Sequence, residues 1–327
     1  MNDIFISVII NSYRRKEYLK EAVISVLNQN IDRKKYEIIV VKGFYDKDID
    51  DFLEVNGINN IYVEGLYNGK RWIEGIKKSK GEVICFLDDD DMFSSLKLDR
   101  IYNIYEDAPF EYYHNSYTSD PNLISKEGDD YLFLQNDHGS ITLHKFLKYS
   151  IKYKLSINSS SICIVKHIIA DYLNESEQVT VGWDVYLFYL YLSHAKNFVI
   201  DNTLLTYYRQ HNSYSHHFDN ILEFRERELS RNKDADGAYK LYRDIVTQKF
   251  LKKTLEYEAF SYEIPLYICD FDRSKSPKTM KLFQFLLNAR SYSVKFRFVY
   301  FSLGILSKLS KSYAFNLYFY LNKKKIL

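Results

Sequence analysis

The chain has 327 residues, 46% apolar and 17% aromatic, with only 11 Gly and 4 Pro. That is enough for one large domain of about 200 residues plus an appendage, and it excludes fibrous and low-complexity classes. The net charge of +2 hides an asymmetry: beyond Asp272 there are twelve Lys and Arg and no acid, leaving 33 basic against 43 acidic residues up to and including it, so an anionic surface is the expected partner of the tail.

Phe5 to Ile10 (FISVII) is a short apolar run rich in β-branched residues, the pattern of a strand buried on both faces of a parallel sheet. The polar turn Asn11-Ser12-Tyr13-Arg14-Arg15 follows. Leu19, Ala22, Val23, Val26 and Leu27 then recur at helical spacing. Tyr36 to Val41 (YEIIVV) predicts a second buried strand, Ile49 to Leu53 a short helix and Ile61 to Val63 a short strand. Trp72, Ile73 and Ile76 fall on a further helix. Val83 to Leu87 (VICFL) is another buried strand, running straight into Asp88-Asp89-Asp90-Asp91. This alternation means βαβ units on a parallel sheet, whose ligands bind at the carboxyl ends of the strands. The turn at Asn11 and the four carboxylates both fall at such ends and should face one crevice.

Beyond Pro109 the pattern weakens. Glu111 to Tyr117, Ser159 to Val165, Phe198 to Ile200 and Leu204 to Tyr208 read as strands, and Trp183 to Leu192 as a mostly buried helix. From Ile221 the chain is helical and charged. The expected division is a domain over 1–218 and a helical, basic and aromatic-rich region over 219–327. Cys85, Cys163 and Cys269 sit among apolar residues without metal-ligand spacing, as buried free thiols of a reducing compartment do. The first residues lack a basic stretch before an apolar one, and no run of eighteen apolar residues occurs, so neither a secretory signal nor a membrane span is expected.

Four Asp at a strand end are costly unless a cation or hydrogen bonds compensate. Mg²⁺ uses one or two carboxylates and completes its shell with water and substrate phosphates. The plainer reading is a solvated acidic loop, or a cap for a helix over Ser95 to Glu106.

With these residues in hand, the chain resembles the family 2 glycosyltransferases of the GT-A fold over roughly residues 4–216. The matching stretches are Ile6 to Gln29, Tyr36 to Val41, Gly81 to Phe93 (GEVICFLDDDDMF) and Leu205 to Ser215 (LTYYRQHNSYS). The resemblance implies an α/β fold with a mostly parallel sheet flanked by helices, inversion at the sugar carbon, and a nucleoside-diphosphate sugar as donor with Mg²⁺ or Mn²⁺. It puts Ser12, Tyr13 and Arg14 in the nucleotide pocket and Asn68 and Arg71 near the donor. It puts the ribose on Asp88 or Asp89, the metal on Asp90 with Asp88, and His211 in the metal or diphosphate site.

Two positions depart from the family pattern. Lys42-Gly43 stand where relatives carry two Asp, the first of which contacts the base. Val181-Gly182 stand where relatives often carry an acidic pair that includes the catalytic base. Asp184 is the nearby carboxylate and the expected base, although an acid in the first turn of a helix also suits the helix dipole. Tyr112 to Tyr117 and Asn158 to Ser161 are sugar contacts or loop surface.

From Ser291 to Leu327 basic residues interrupt an aromatic and aliphatic run. The uninterrupted piece Phe298 to Ser307 is about 15 Å long as a helix, half of a bilayer core of about 30 Å, so it lies on a membrane rather than crossing it. Lys323-Lys324-Lys325 adds attraction to anionic lipid. That places the protein at the cytoplasmic face of a membrane, with a glycan or lipid-linked saccharide as acceptor. The alternative is an appendage packed on the catalytic domain or on a second subunit, as in a homodimer. The basic residues join no nucleic-acid module. Two competing functions are a non-catalytic sugar-nucleotide or glycan-binding module and a nucleotidyltransferase. The latter needs a Gly-rich loop after the first strand, and Asn11 to Arg15 contains no Gly.

Overall fold

The computed structural model describes residues 4–13, 16–65, 68–124, 130–210, 220–272, 275–289 and 291–324. The chain forms two compact units, residues 1–142 with 153–211 and residues 143–152 with 212–327.

The first unit begins with β1 (Ile6–Ser12), α1 (Leu19–Leu27), β2 (Tyr36–Lys42), α2 (Lys47–Val55), β3 (Asn59–Tyr62), α3 (Asn68–Lys78) and β4 (Val83–Asp88). It continues through β5 (Met92–Phe93), α4 (Lys97–Asp107), β6 (Tyr112–Thr118), β7 (Tyr131–Gln135) and the ends of α5 (Ser140–Tyr153). It closes with β8 (Ile162–Val165), α6 (Lys166–Ala170), α7 (Leu173–Glu177), α8 (Trp183–His194) and β9 (Asn197–Tyr207). The sheet order is β3-β2-β1-β4-β8-β6-β9-β5, with β7 on β9. The paired register is mostly parallel: β1 with β2 and β4, β2 with β3, and β6 with β9. Strand β8 runs antiparallel between β4 and β6, and β5 and β7 run antiparallel to β9.

The apolar runs that mark β1, β2 and β4 are buried along nearly their whole length, because helices cover both faces of a parallel sheet. Helix α3 lies against β1 at Gly75, where a Cβ would stand 2.5 Å from Ile9 Cγ2. Glycine is what permits that approach. Helix α8 is apolar almost all round, and Tyr186 to Ser193 are all buried.

Three expected strands differ. Phe198 to Ile200 and Leu204 to Tyr207 belong to one strand, β9, which ends one residue before the expected Tyr208. Its polar centre stays in the sheet because Asp201 accepts from the Thr203 N–H at 2.9 Å, from Arg100 at 2.6 and 3.1 Å and from the Tyr113 hydroxyl at 2.8 Å. The β6–β9 register shifts just beyond it. Ser159 to Ser161 form a 3₁₀ turn rather than a strand start. Asn158 precedes it with φ 68°, and its side chain accepts from the Ser160 N–H.

The second unit is helical: α9 (Ile221–Ile245), α10 (Lys249–Cys269), α11 (Thr279–Asn288), α12 (Val294–Leu309) and α13 (Lys311–Lys323). Its core gathers Phe224, Phe260, Ile264, Leu282, Phe285, Leu303, Phe315 and Tyr318. The middle of α5 belongs here, with Leu143, Phe146 and Leu147 buried. All three cysteines are buried and free. No helix among the described residues is long and apolar enough to cross a membrane.

Candidate active site

The carboxyl ends of β1 and β4 are registered side by side, Asn11 opposite Asp88. At the first, the Ser12 hydroxyl donates to Asp89 Oδ2 at 2.6 Å, with both residues buried. Asn11 Oδ1 accepts from Arg71 Nε at 2.8 Å, and its amide donates to Asn68. Arg71 is buried rather than a surface residue. It also donates to the Gly65 carbonyl at 3.0 Å, and its guanidinium carbon lies 4.5 Å from the centre of the Tyr13 ring. Burial pulls its pKa down, against the charges of Tyr13 and Asp89. Ser12, Tyr13, Asn68, Arg71 and Asp89 are therefore joined by contacts across two strand ends and one helix start. Arg14 and His211 lie outside the described residues.

The acidic turn divides its four side chains. Asp89 and Asp91 are buried, while Asp88 and Asp90 are half-buried. Burial, followed by the charges of Asp91 and Asp90, lifts Asp88 well above the usual carboxylate range; the Ser159 hydroxyl, donating to Asp88 Oδ2, opposes that. Burial and the charge of Asp90 push Asp91 up to about 7. Arg209 closes the turn from the end of β9. Its N–H donates to Asp91 at 3.1 Å, its Nε to the Asp90 carbonyl at 2.9 Å and its Nη2 to Glu21 at 2.6 Å. Among the described residues, no three or more His, Cys, Asp or Glu side chains gather where they would hold a metal ion.

Asp184 sits half-buried at the start of α8, after Gly182 at φ 67°. Burial raises its carboxyl, while the Val185 and Asn158 N–H groups, each at 3.0 Å, act the other way. Asn158 and Ser159 are consecutive, so one loop holds both Asp184 and Asp88. The neighbouring Ser160 hydroxyl accepts the Asp88 N–H at 3.0 Å.

Beneath this loop is a group that sequence reasoning missed. Lys97 is fully buried, and its ammonium donates to the Ser160 carbonyl at 2.6 Å and to Thr206 at 3.1 Å, 3.8 Å from the Phe93 ring centre. A lysine in the first turn of a charged helix reads as surface, and only the fold brings residues 97, 160 and 206 together. The Lys42 departure also finds a physical account. Its buried ammonium is held by Asp50 at 2.8 Å and by the Phe44 carbonyl at 2.7 Å. A Cβ on Gly43 would stand 3.0 Å from the Tyr13 carbonyl oxygen, so a side chain there would crowd the turn.

Residues 7–173 match the family model described as glycosyl transferase family 2. The chain is 33% identical over 108 residues to the poly(ribitol-phosphate) beta-glucosyltransferase of Bacillus spizizenii, a match covering 30% of this chain and 17% of that protein. It is 31% identical over 121 residues to an uncharacterized glycosyltransferase of Rickettsia bellii, covering 36% of this chain and 17% of that one. The matched stretch thus spans less than a fifth of either relative. Among solved structures, residues 1–349 of S. aureus TarS in complex with UDP-GlcNAc superpose with a TM-score of 0.58 at 13% identity, covering 94% of this chain and 89% of that one. The mannosyltransferase PcManGT from Pyrobaculum calidifontis, in complex with GDP-Man and Mn²⁺, gives 0.53 at 12% identity, covering 94% and 87%. At such identities the likeness is one of fold, the GT-A arrangement.

Proposed function

This chain belongs to the family 2 glycosyltransferases, and from that premise we propose that it moves a sugar from a nucleoside-diphosphate sugar to a hydroxyl of a glycan or lipid-linked acceptor, with inversion at the anomeric carbon. The observation that carries this reading is the Asn158–Ser159 loop, which holds a carboxylate at the strand end and another at the start of a buried helix. The donor lies along Ser12, Tyr13, Asn68, Arg71, Asp88 and Asp89; the family resemblance assigns Arg14 to the same role. Asp184 takes the proton of the acceptor hydroxyl as its oxygen bonds to the anomeric carbon. The bond from that carbon to the diphosphate oxygen breaks, and the electron pair leaves with the nucleoside diphosphate.

A divalent cation fits the acidic turn. Carboxylates lifted by burial and by one another's charge are short of positive charge, and hard oxygen ligands suit Mg²⁺ or Mn²⁺. Asp90 and Asp88 would hold it, with His211. When bound, it supplies charge neutralisation to the leaving diphosphate. The ligands of the two structural neighbours support the donor class. Contact of the basic C-terminal region with anionic membrane, bringing the enzyme to a lipid-linked acceptor, belongs to the same reading. Titration calorimetry with UDP, GDP and dTDP, with and without Mn²⁺, beside Asp90→Ala, tests it. Metal-dependent binding of one nucleotide, lost in the variant, is expected; no binding of any of them would overturn it.

A further inference from the structure

Helices α11 and α12 form a hairpin with two unlike faces. Leu282, Phe285, Tyr300 and Leu303 turn inward and are buried in the core of the second unit. The helices are fixed closely: a Cβ on Gly304 would stand 2.4 Å from Leu282 Cδ2, and Arg297 Nη1 donates to the Leu286 carbonyl at 2.8 Å. The other face is apolar too, but it is exposed. Met280, Phe283 and Leu287 recur at i, i+3 and i+7 on α11 and are 70%, 48% and 69% exposed. Val294 and Phe298, at i and i+4 on α12, are 70% and 60% exposed. The Phe283 ring meets that of Phe301 at 5.0 Å, which joins the two stripes into one surface. Single exposed apolar residues need no explanation, whereas a continuous patch of this kind marks an interaction site.

The charges around the patch say what covers it. Lys278 and Lys295 are exposed on the same hairpin, whereas Lys281 lies 3.9 Å from Glu263 and Arg297 is held by the Leu286 carbonyl; no Asp or Glu occurs after Asp272. A second copy of the chain, docked isologously, would bring these cations against their own equivalents. An anionic bilayer accepts both the apolar side chains and the cations. At 16 residues, α12 is about 24 Å long, too short to span a core of about 30 Å.

We propose that the outer face of the α11–α12 hairpin docks on an anionic lipid bilayer, with Met280, Phe283, Leu287, Val294 and Phe298 entering the interfacial layer and Lys278 and Lys295 at the headgroup phosphates. This rests on the membrane contact of the proposed function and relocates it. The contact face begins at Lys278, ahead of the 291–327 tail. Helix α13 spends Ala314, Phe315 and Tyr318 on the core.

The test is co-sedimentation of the full chain with vesicles of phosphatidylcholine, alone or mixed with phosphatidylglycerol, for wild type, Phe283→Glu/Phe298→Glu and Lys278→Gln/Lys295→Gln. Wild type should bind the mixed vesicles, more weakly as salt rises. Each double variant should lose about tenfold or more in affinity, with unchanged circular dichroism. Equal binding to both vesicle types, or to neither, would overturn the proposal. So would a wild-type dimer in sedimentation velocity that Phe283→Glu/Phe298→Glu dissociates, since the face would then join two copies. No donor or acceptor is present, so failure of the transfer reading would appear only in the nucleotide titration.

Discussion

At the scale of single residues, the site sets Asp184 a specific task. A base must be ionised to accept a proton, and burial raises this carboxyl. The acid side of the rate profile should therefore fall at a pH above the ordinary aspartate value, with activity gained as pH rises through the folded pKa. Asp184→Asn should lower transfer by about 10²-fold or more, while nucleotide binding stays as in wild type. Rates across pH, measured beside calorimetry, check both; near wild-type transfer in the variant would move the role to another carboxylate. Ser12 makes a different kind of prediction. Its hydroxyl is a donor to the buried Asp89 carboxylate, so Ser12→Ala should cost about 1–3 kcal/mol of stability. In a Ser12→Ala/Asp89→Asn cycle the two changes should be strongly non-additive. Additive thermal melts would show that the bond carries little.

At the scale of elements, α3 and β1 pack with little tolerance at Gly75. Gly75→Ala places a methyl against Ile9 and should cost about 1–3 kcal/mol by overpacking. In a domain of this size that is a fall in melting temperature of roughly 2–4 °C per kcal/mol. Gly237→Ala is the control, since a Cβ there meets nothing within 4 Å. What was legible in the sequence follows the same physics. Strands β1, β2 and β4 are buried on both faces, so their apolar runs announce them, and the Asp turn is conspicuous because it follows one of them directly. Among the described residues strand β7 pairs only with β9, and it leaves Phe133 exposed, so its pattern carries no clear period. Strand β9 read as two because Asp201, Asn202 and Thr203 resemble a turn, and only partners brought by Arg100 and Tyr113 keep Asp201 inside the sheet. The loop joining Asp88 to Asp184 was visible only as Ser-rich. Its role is relational, because it depends on residues 26 and 71 positions away being brought to it by the fold.

At the scale of the whole molecule, the sequence suggests a cut near residue 218, and the division into units argues against a clean one. Leu143, Phe146 and Leu147 on α5 are buried, and residues 143–152 belong to the unit built from α9 to α13. The His144 ring lies 6.4 Å from that of Phe250 on α10. A fragment of residues 1–218 would keep α5 and lose the rest of its unit. Burial of a large apolar side chain is worth about 1.5–3 kcal/mol, so three of them left in water form an adhesive patch on the fragment. The fragment should bind a hydrophobic dye, self-associate in sedimentation velocity and melt below the full chain. Changing Leu143 and Phe146 to Ser within the fragment should reduce the dye binding and the self-association together, which separates an exposed α5 face from general misfolding. A monomeric fragment melting with the full chain would mean that α5 draws its stability from the sheet unit alone, and that the two parts of the chain fold independently at residue 218.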